Sequence, residues 1–269
     1  MYRTYVTGLW IVPNNAKRSP EHYFSCLPAT FALLRRSHVI FYHDDVTVLE
    51  KALALAAEHE VLLEPIRAPL QSLACWGWAE RFVDACAAMR LDEFNQTKSY
   101  AGEKGVVHFW RDLQQGGRES YISMLAIWLS KVPLVAAVGR RQNKESLAWI
   151  DASIARVNGE RENWNFPRMD GEPGCISHYG NDMRFLGRRL PLSAGYLEGD
   201  SQAWQALEAL YFDMLPKAAR MPYGHDEETV LAQCVAEAPE LFHCIGQPLP
   251  PWTRSLSQLR SRIFSQLAV

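Results

Sequence analysis

The sequence lacks the short motifs that mark the commonest nucleotide-binding and hydrolytic sites. Neither G-x-G-x-x-G nor G-x-x-x-x-G-K-[ST] occurs in the 269 residues, so the standard dinucleotide and P-loop sites are not predicted. H-E-x-x-H and G-x-S-x-G are also missing, and with them the main sequence signals of zinc proteases and α/β-hydrolases. A catalytic site, if the chain has one, must be built from other residues.

Paired cysteines and an export signal are missing as well. The six cysteines never stand in C-x-x-C spacing, so a zinc or thioredoxin-type site is not predicted. The first residues lead directly into a strand-like pattern and lack the charged and apolar regions of a signal peptide. Free, mostly buried thiols in the cytoplasm are therefore the expectation.

Long apolar runs and excess charge are also lacking. No uninterrupted run reaches the roughly 18 residues that span a bilayer, and the nearest, residues 121–138, contains Ser130, Lys131 and Pro133. The formal net charge is -2, so nucleic acid is not expected as a partner. Hydrophobic residues at 48% and charged residues at 22% indicate a globular protein with a sizeable core.

What the sequence does have is an alternation of strand-like and helix-like segments. Ser19 before Pro20 predicts a capped helix start, and Thr47 with Glu50 resembles a capping box. The alternation predicts a mostly parallel sheet with right-handed crossovers, in a single domain over residues 1–269. The first five elements are strands at 2–7, 39–43 and 60–64 and helices at 20–35 and 47–58.

The second part of the chain predicts further helices and two long segments without regular structure. Pro133 is expected to divide the apolar helix at 119–138. The polar stretch 95–118 is predicted to be largely loop, and 155–192 a long loop that could close over a ligand. The other predictions are helices at 77–90, 200–215, 225–238 and 252–267, the last amphipathic, and strands at 147–151, 192–196 and 241–245.

Acidic residues follow two of the predicted strands. Asp44 and Asp45 end the second strand, and Asp151 ends the most apolar one. Because ligands of open α/β sheets bind at the carboxyl ends of the strands, these acids are candidates for a binding site. A carboxylate there can hold a divalent cation, and through it a diphosphate. It can equally cap the following turn, and both interpretations remain open.

Acids also open a helix late in the chain. Asp226, Glu227 and Glu228 stand at its start, where the favoured interpretation is compensation of the helix dipole and the alternative is a general base. His243 lies in a short apolar strand, where a core histidine is more common than a metal ligand.

Basic residues mark two further positions. Lys131 lies in the apolar helix and needs an anionic partner, either a protein carboxylate or a substrate phosphate. Lys17 and Arg18 lie in the loop before the first helix, where they could bind a phosphate or remain solvated.

Four segments of the chain resemble the bacterial HtrL/YibB-type family of glycosyltransferases, also called WlaTC-like. The likeness extends from about residue 4 to residue 245 and rests on the order and spacing of short motifs. The segments are Lys17 to Phe24 after the first strand, Val39 to Asp45, Tyr121 to Lys131 followed by Leu147 to Ser153, and Asp226-Glu227 before Pro239 to Phe242.

The resemblance implies a GT-A-like α/β fold that binds a nucleotide sugar of the UDP type with the help of Mn²⁺ or Mg²⁺. Asp151 matches the first acid of the family's metal-binding turn, whereas Ser153 stands where a second acid is expected. His243 would be a further metal ligand under this resemblance.

The resemblance also implies roles for the remaining candidates. Lys17 and Arg18 would face the nucleotide, with Asp44 as a further donor-site residue. Lys131 would face the diphosphate or a structural acid. Asp226 or Glu227 becomes the base that takes the acceptor proton, as an inverting transfer requires.

The leading hypothesis is therefore a cytoplasmic glycosyltransferase that acts on a glycan, a lipid-linked sugar or a small molecule. A metal-assisted hydrolase or phosphotransferase using the same carboxylates is the first alternative, and a non-catalytic binding protein is the second. No transmembrane segment is predicted, although Arg254, Arg260 and Arg262 around the last helix would permit peripheral membrane contact.

Overall fold

The computed structural model describes residues 4–88, 104–144, 146–157, 172–220 and 225–248. The strands are β1 Thr4–Leu9, β2 His38–His43, β3 Leu62–Arg67, β4 Leu147–Ile150, β5 Ile176–Tyr179, β6 Arg184–Phe185, β7 Arg188–Arg189, β8 Ser193–Gly199 and β9 Phe242–Gly246. The helices are α1 Pro20–Leu33, α2 Val46–Glu58, α3 Trp76–Ala87, α4 Lys104–Val107, α5 Arg118–Leu129, α6 Lys131–Gln142, α7 Ser201–Ala218 and α8 Glu227–Glu237. A π-helix, His108–Gln115, directly continues α4.

Seven of the strands form one sheet in the order β3-β2-β1-β4-β8-β5-β9. The neighbours β3-β2, β2-β1, β1-β4 and β5-β9 pair in parallel, and β8 runs antiparallel to both β4 and β5. The predicted fold class, an α/β protein with a mostly parallel central sheet flanked by helices, is confirmed.

The first half of the sheet follows the local signals of the sequence. Ser19 caps α1 by accepting a hydrogen bond from the His22 amide at 3.4 Å. Asp45 caps α2 by accepting hydrogen bonds from the Thr47 and Val48 amides, which is the capping role left open for an acid at a strand end. The predicted capping box of Thr47 and Glu50 is therefore wrong, because Thr47 already lies inside the helix. The third strand begins two residues later than predicted, because Glu60 adopts a left-handed φ of 58° and ends the preceding turn.

Two hydrophobic clusters cover the two faces of the sheet. Trp149 of β4 packs with residues of α3, α5, α6, α7 and α8 on one face, and its neighbour Ile150 packs with residues of α1 and α2 on the other. Successive side chains of a strand point to opposite faces, so the continuous apolar run of β4 is what burial on both faces requires. The strand ends, rather than the strand faces, are left to meet a ligand.

The stretch 95–118 is not the loop that was predicted, as far as it is described. Residues 104–115 form α4 and the π-helix, and Phe109 and Leu113 are buried there. Gly116 and Gly117 end the segment, with Gly117 at a φ of 85°. Gly116 and Gly117 therefore mark the end of a helix, since a positive φ is a common helix terminator.

The apolar helix divides, as Pro133 predicted, and the break falls at Ser130, beside the carbonyl of Leu129 with which a proline at 133 cannot pair. Pro133 is the third residue of α6, where a helix has no intrahelical partner for its amides and therefore tolerates proline. By length and composition alone, Arg118–Gln142 could cross a membrane, but 78% of its apolar window is buried inside the protein. The prediction of a buried core helix is consistent with that burial.

The predicted long loop at 155–192 is wrong for its second half. Residues 176–179 form β5, which lies in the sheet between β8 and β9, and 184–189 hold the two-stranded β6-β7 ribbon. Residues 158–171 and the predicted amphipathic helix at 252–267 lie outside the described residues.

Candidate active site

A cleft opens at the carboxyl ends of β1 and β4, beside the N-terminal ends of α6 and α8. Its smaller part has an empty volume of about 700 Å³ and its larger part about 1010 Å³. The smaller part is lined mainly by apolar side chains, among them Leu9, Trp10, Val12, Met124 and Ile127. Six residues line both parts, namely Lys17, Arg18, Trp128, Lys131, Asp151 and Arg156.

Asp151 follows β4 directly and lies in the cleft, as predicted. Its Oδ1 is 2.9 Å from the Lys131 ammonium and accepts a hydrogen bond from the Trp149 indole at 3.0 Å, and its Oδ2 is 3.5 Å from the Arg156 guanidinium. Burial alone would raise the pKa of Asp151, but Lys131 and Arg156 hold it below its usual value. The carboxylate is therefore ionised and shared by two cations.

Lys131 is the first residue of α6 and joins two acids from distant parts of the chain. Its ammonium donates to Glu227 Oε1 at 2.8 Å and to the Ala194 carbonyl at 3.3 Å, in addition to its contact with Asp151. Burial would lower the pKa of Lys131, yet Asp151 and Glu227 raise it above the usual value. The sequence left open whether Lys131 pairs with a protein carboxylate or a substrate phosphate, and the structure shows two protein carboxylates beside it.

The three acids at the start of α8 have different surroundings. Asp226 caps the helix in a capping box with Thr229, and it also accepts hydrogen bonds from Lys104 and from His108 Nε2. Although burial opposes ionisation, Lys104 and His108 hold the pKa of Asp226 well below its usual value. Asp226 is thus the N-cap of α8, and it lies in the cleft wall as well.

Glu227 is the acid of this group with spare hydrogen-bonding capacity. Its Oε1 pairs with Lys131, whereas its Oε2 is buried and has no hydrogen-bond partner among the described residues. Burial and the neighbouring charges of Asp226 and Glu228 raise the pKa of Glu227, although Lys131 and Lys104 oppose the rise. A carboxyl with a raised pKa and a free oxygen is well suited to exchange a proton.

Glu228, the third acid at the start of α8, joins Lys104 to residues on the far side of the cleft. Glu228 pairs with Lys104 and accepts hydrogen bonds from the Asn181 side chain at 2.7 Å and the Ala194 amide at 2.9 Å. Asn181 comes from the turn after β5 and was not predicted.

Lys104, His108 and Arg111 were missed in the sequence because their segment was predicted as loop. His108 Nδ1 is 2.7 Å from Asp112 Oδ2, and the Arg111 guanidinium donates twice to Asp112, at 2.7 and 2.8 Å. The polar residues recur every three or four positions, which is the spacing that places side chains on one helix face. That periodicity is the signal that could have identified them.

Lys17 enters the cleft from the loop after β1, as predicted. Its ammonium lies 4.4 Å from the ring centroid of Trp128, and no carboxylate of the described ranges lies within ion-pair distance of it. Burial, followed by the nearby charges of Arg111 and Lys104, lowers the pKa of Lys17 to about 8. Arg18 lines the same region with its side chain exposed.

Asp44 and His243 do not line the cleft. Asp44 lies 3.7 Å from Arg67 on the side of β2 and β3. His243 is an exposed residue of the edge strand β9, with Nδ1 3.1 Å from Glu172. The structure therefore does not bring His243 to Asp151, and it also corrects the preference for a core histidine.

The side chains expected to hold a metal ion, Asp151 and Ser153, are already engaged in contacts within the protein. Ser153 lines the cleft, but its hydroxyl accepts a hydrogen bond from Arg156 Nη1 at 2.6 Å, and both Asp151 oxygens already face cations or a donor. Within the described part of the chain, no three His, Cys, Asp or Glu side chains are grouped to hold a metal ion. The residues present do not fit a divalent cation on Asp151.

Comparisons with known proteins bear on the fold. No protein-family model and no curated protein sequence matches the chain. Core-mannan synthase A (CmsA/Ktr4) from Aspergillus fumigatus, solved in a Mn/GDP form, superposes with a TM-score of 0.52 at 10% identity, over 91% of this chain and 73% of that one. The chain therefore shares the α/β fold of this synthase.

A bacterial glycosyltransferase structure is similar over the same extent. GlyE from Streptococcus pneumoniae TIGR4 gives a TM-score of 0.43 at 8% identity over 91% of this chain. The chain spans only 45% of the length of that GlyE structure. Membership of the HtrL/YibB-type family stays a prediction.

Proposed function

We propose that the protein is a glycosyltransferase that uses a nucleotide-sugar donor of the UDP type. The observation that carries the proposal is the buried ammonium of Lys131, which pairs with both Asp151 and Glu227 in the cleft. The cleft lies at the carboxyl ends of β1 and β4, where open α/β sheets bind their ligands. The fold shared with CmsA, whose structure is a Mn/GDP form, supports a nucleotide as the ligand.

The two parts of the cleft suit the two ends of such a donor. The smaller part offers apolar side chains and Trp10, against which a planar base can pack. The larger part carries the charged side chains, and it is the part with room for a diphosphate and a sugar. We infer that the acceptor enters through the larger part.

Glu227 is proposed as the base that takes the proton of the acceptor hydroxyl. Glu227 lines the larger part of the cleft, and its buried Oε2 has no hydrogen-bond partner among the described residues, so this oxygen can accept a proton. The raised pKa makes Glu227 a stronger base than an ordinary glutamate. Asp226 is assigned a positioning role, because Lys104 and His108 hold it ionised and fix the start of α8. Of the two candidates for the catalytic base, Asp226 and Glu227, we therefore propose Glu227.

The proposed acceptor is a glycan, a lipid-linked sugar or a small molecule, and the proposed compartment is the cytoplasm. The six cysteines are free thiols, which agrees with a reducing compartment.

The proposal is tested by incubating the protein with a panel of nucleotide sugars and mixed acceptors, with Mn²⁺ and with EDTA. Release of nucleoside diphosphate together with a glycosylated product is the expected result. Release of inorganic phosphate or nucleoside monophosphate would favour the hydrolase alternative. Failure of every nucleotide sugar to bind, with or without Mn²⁺, would overturn the proposal, and binding without turnover would favour the non-catalytic alternative.

A further inference from the structure

The contacts of Asp151 bear on how the charge of a bound diphosphate would be neutralised. A divalent cation of the Mg²⁺ or Mn²⁺ type needs several oxygen ligands free to face it. Asp151 Oδ1 faces the Lys131 ammonium at 2.9 Å and the Trp149 indole at 3.0 Å, and Oδ2 faces Arg156. A metal ion at this carboxylate would stand beside the positive charges of Lys131 and Arg156, which repel it in a buried setting.

Arg156 hydrogen-bonds to Ser153, the residue that stands where a second metal-binding acid is expected. Its Nη1 donates to the Ser153 hydroxyl at 2.6 Å and to the Ser153 carbonyl at 3.0 Å, and its Nη2 approaches Asp151. Its side chain is 31% exposed and lines both parts of the cleft. Since a guanidinium has five N–H donors in a planar fork that matches phosphate geometry, donors remain for a ligand.

Lys17 supplies a second positive charge, which the carboxylate of Glu227 offsets only in part. Lys104, Arg111 and Lys131 are each paired with carboxylates, whereas Lys17 has none within ion-pair distance in the described ranges and rests against Trp128. The lowered pKa of Lys17 reflects burial and the cations around it. An anion bound between Lys17 and Arg156 would stabilise the buried charge of Lys17 and offset its repulsion by the surrounding cations.

We propose that Lys17 and Arg156 neutralise the diphosphate of the donor directly, and that Asp151 holds Lys131 and Arg156 in place instead of a metal ion. The inference rests on the proposed function and specifies how that same site recognises its ligand. The protein's own cations then stabilise the diphosphate leaving group, as a metal does in other transferases.

The test measures binding of UDP by isothermal titration calorimetry, in EDTA and in Mn²⁺, with the full chain. The expected result is an affinity in EDTA within about twofold of that in Mn²⁺. Lys17→Met and Arg156→Gln should each weaken UDP binding by roughly tenfold to a hundredfold, as expected for loss of a charge-assisted hydrogen bond. Binding of uridine, which has no phosphate, should change little in either variant.

Matched controls separate the local effect from loss of folding. Lys51→Met and Arg35→Gln change exposed cations on α2 and after α1, away from the cleft, and should leave UDP binding unchanged. UDP binding that requires Mn²⁺, or variants that bind UDP as tightly as the unchanged protein, would overturn the inference and leave the proposed function standing. If UDP, GDP, CDP and ADP all fail to bind with and without Mn²⁺, the proposed function itself fails.

Discussion

Glu227 and Asp226 are neighbours in sequence, yet their carboxyl groups have opposite tendencies to ionise. Asp226 lies between Lys104 and His108, and its pKa is low. Glu227 has Lys131 on one oxygen and two acids beside it, and its pKa is raised. Adjacent residues at the start of a helix point in different directions, so the two carboxyls have different neighbours.

Replacement of Glu227 tests its role as the base. Glu227→Gln should lower kcat roughly 10²- to 10⁴-fold, the usual contribution of general base catalysis, with little change in donor KM. A base acts only when deprotonated, so kcat of the unchanged protein should fall as pH drops through the raised pKa of Glu227, and this acidic limb should vanish in the variant. A variant that keeps both kcat and the limb would assign the proton transfer to another group.

The ionisation of Lys17 predicts a pH dependence of donor binding. An anion binds the protonated form, so UDP affinity should be constant below the pKa of about 8 and should decrease as pH rises above it. Calorimetric titrations between pH 6.5 and 9.5 measure the trend, with Lys17→Met as the control in which it disappears. A constant affinity across that range in the unchanged protein would contradict the assignment.

Lys131 predicts an effect on stability. Lys131→Met leaves Asp151 and Glu227 buried without their shared cation, and the free energy of unfolding should decrease by about 3–5 kcal/mol. The loss should shrink at low pH, because protonation of the two carboxyls, of which only Asp151 keeps a cation in Arg156, removes their buried charge. Urea unfolding at pH 5 and pH 8 measures both effects, and a loss that grows toward low pH would be inconsistent with this explanation.

At the scale of elements, the segment from α4 through the π-helix decides the shape of one cleft wall. It ends at Gly116, where an added Cβ would lie 2.7 Å from the Asp112 carbonyl oxygen and 3.2 Å from that of Asn14. Both contacts are with backbone atoms, which cannot move as a flexible side chain can. The end of the π-helix is therefore fixed against the loop that carries Lys17.

A pair of glycine substitutions tests this contact. Gly116→Ala should destabilise the protein by about 1–3 kcal/mol through overpacking and weaken UDP binding, because it displaces the loop around Asn14. Gly77→Ala is the matched control, since nothing lies within 4 Å of an added Cβ there, and in α3 it should stabilise by about 0.5–1 kcal/mol. Thermal unfolding compares the two variants, and a change of stability in the same direction in both would contradict this explanation.

Elements were predictable from the sequence where their signals are local. The cap of α1 and the apolar run of β4 gave the right elements, because capping and burial periodicity act within a few residues. The predicted cap of α2, Thr47, was wrong by two residues, since Asp45 caps that helix. The division of the apolar helix was predicted from Pro133, although its position at Ser130 was not, and the π-helix was not predicted. Pro133 is tolerated in a first helical turn, and the helical character of 104–115 depends on packing of Phe109 and Leu113 against distant residues.

For the whole molecule, ligand binding should be visible as stabilisation. UDP at about 100 times its dissociation constant should add about 2.7 kcal/mol to the free energy of unfolding. For a chain of this size that corresponds to a rise in Tm of roughly 5–11 °C. A thermal shift assay in EDTA measures it, with inorganic phosphate at the same concentration as the control, and no shift at saturating UDP would contradict binding in the folded state.

The sequence by itself determined the order of the first strands and helices, the parallel pairing that this order implies, and the position of Asp151 at a strand end. The physical reason is that apolar periodicity, caps and strand-end acids are properties of short segments. These signals also placed Lys17 and Arg18 in the loop that enters the cleft.

Only the tertiary structure decided which charges meet. Lys131, Asp151 and Glu227 come from α6, the end of β4 and the start of α8, and no local pattern shows that one ammonium joins two carboxylates. The sheet order puts β9 three strands from β4, about 14 Å at the usual strand spacing, which keeps His243 from Asp151. Burial then sets the ionisation of each carboxyl, because the chain crossovers, and not the spacing along the sequence, choose its neighbours.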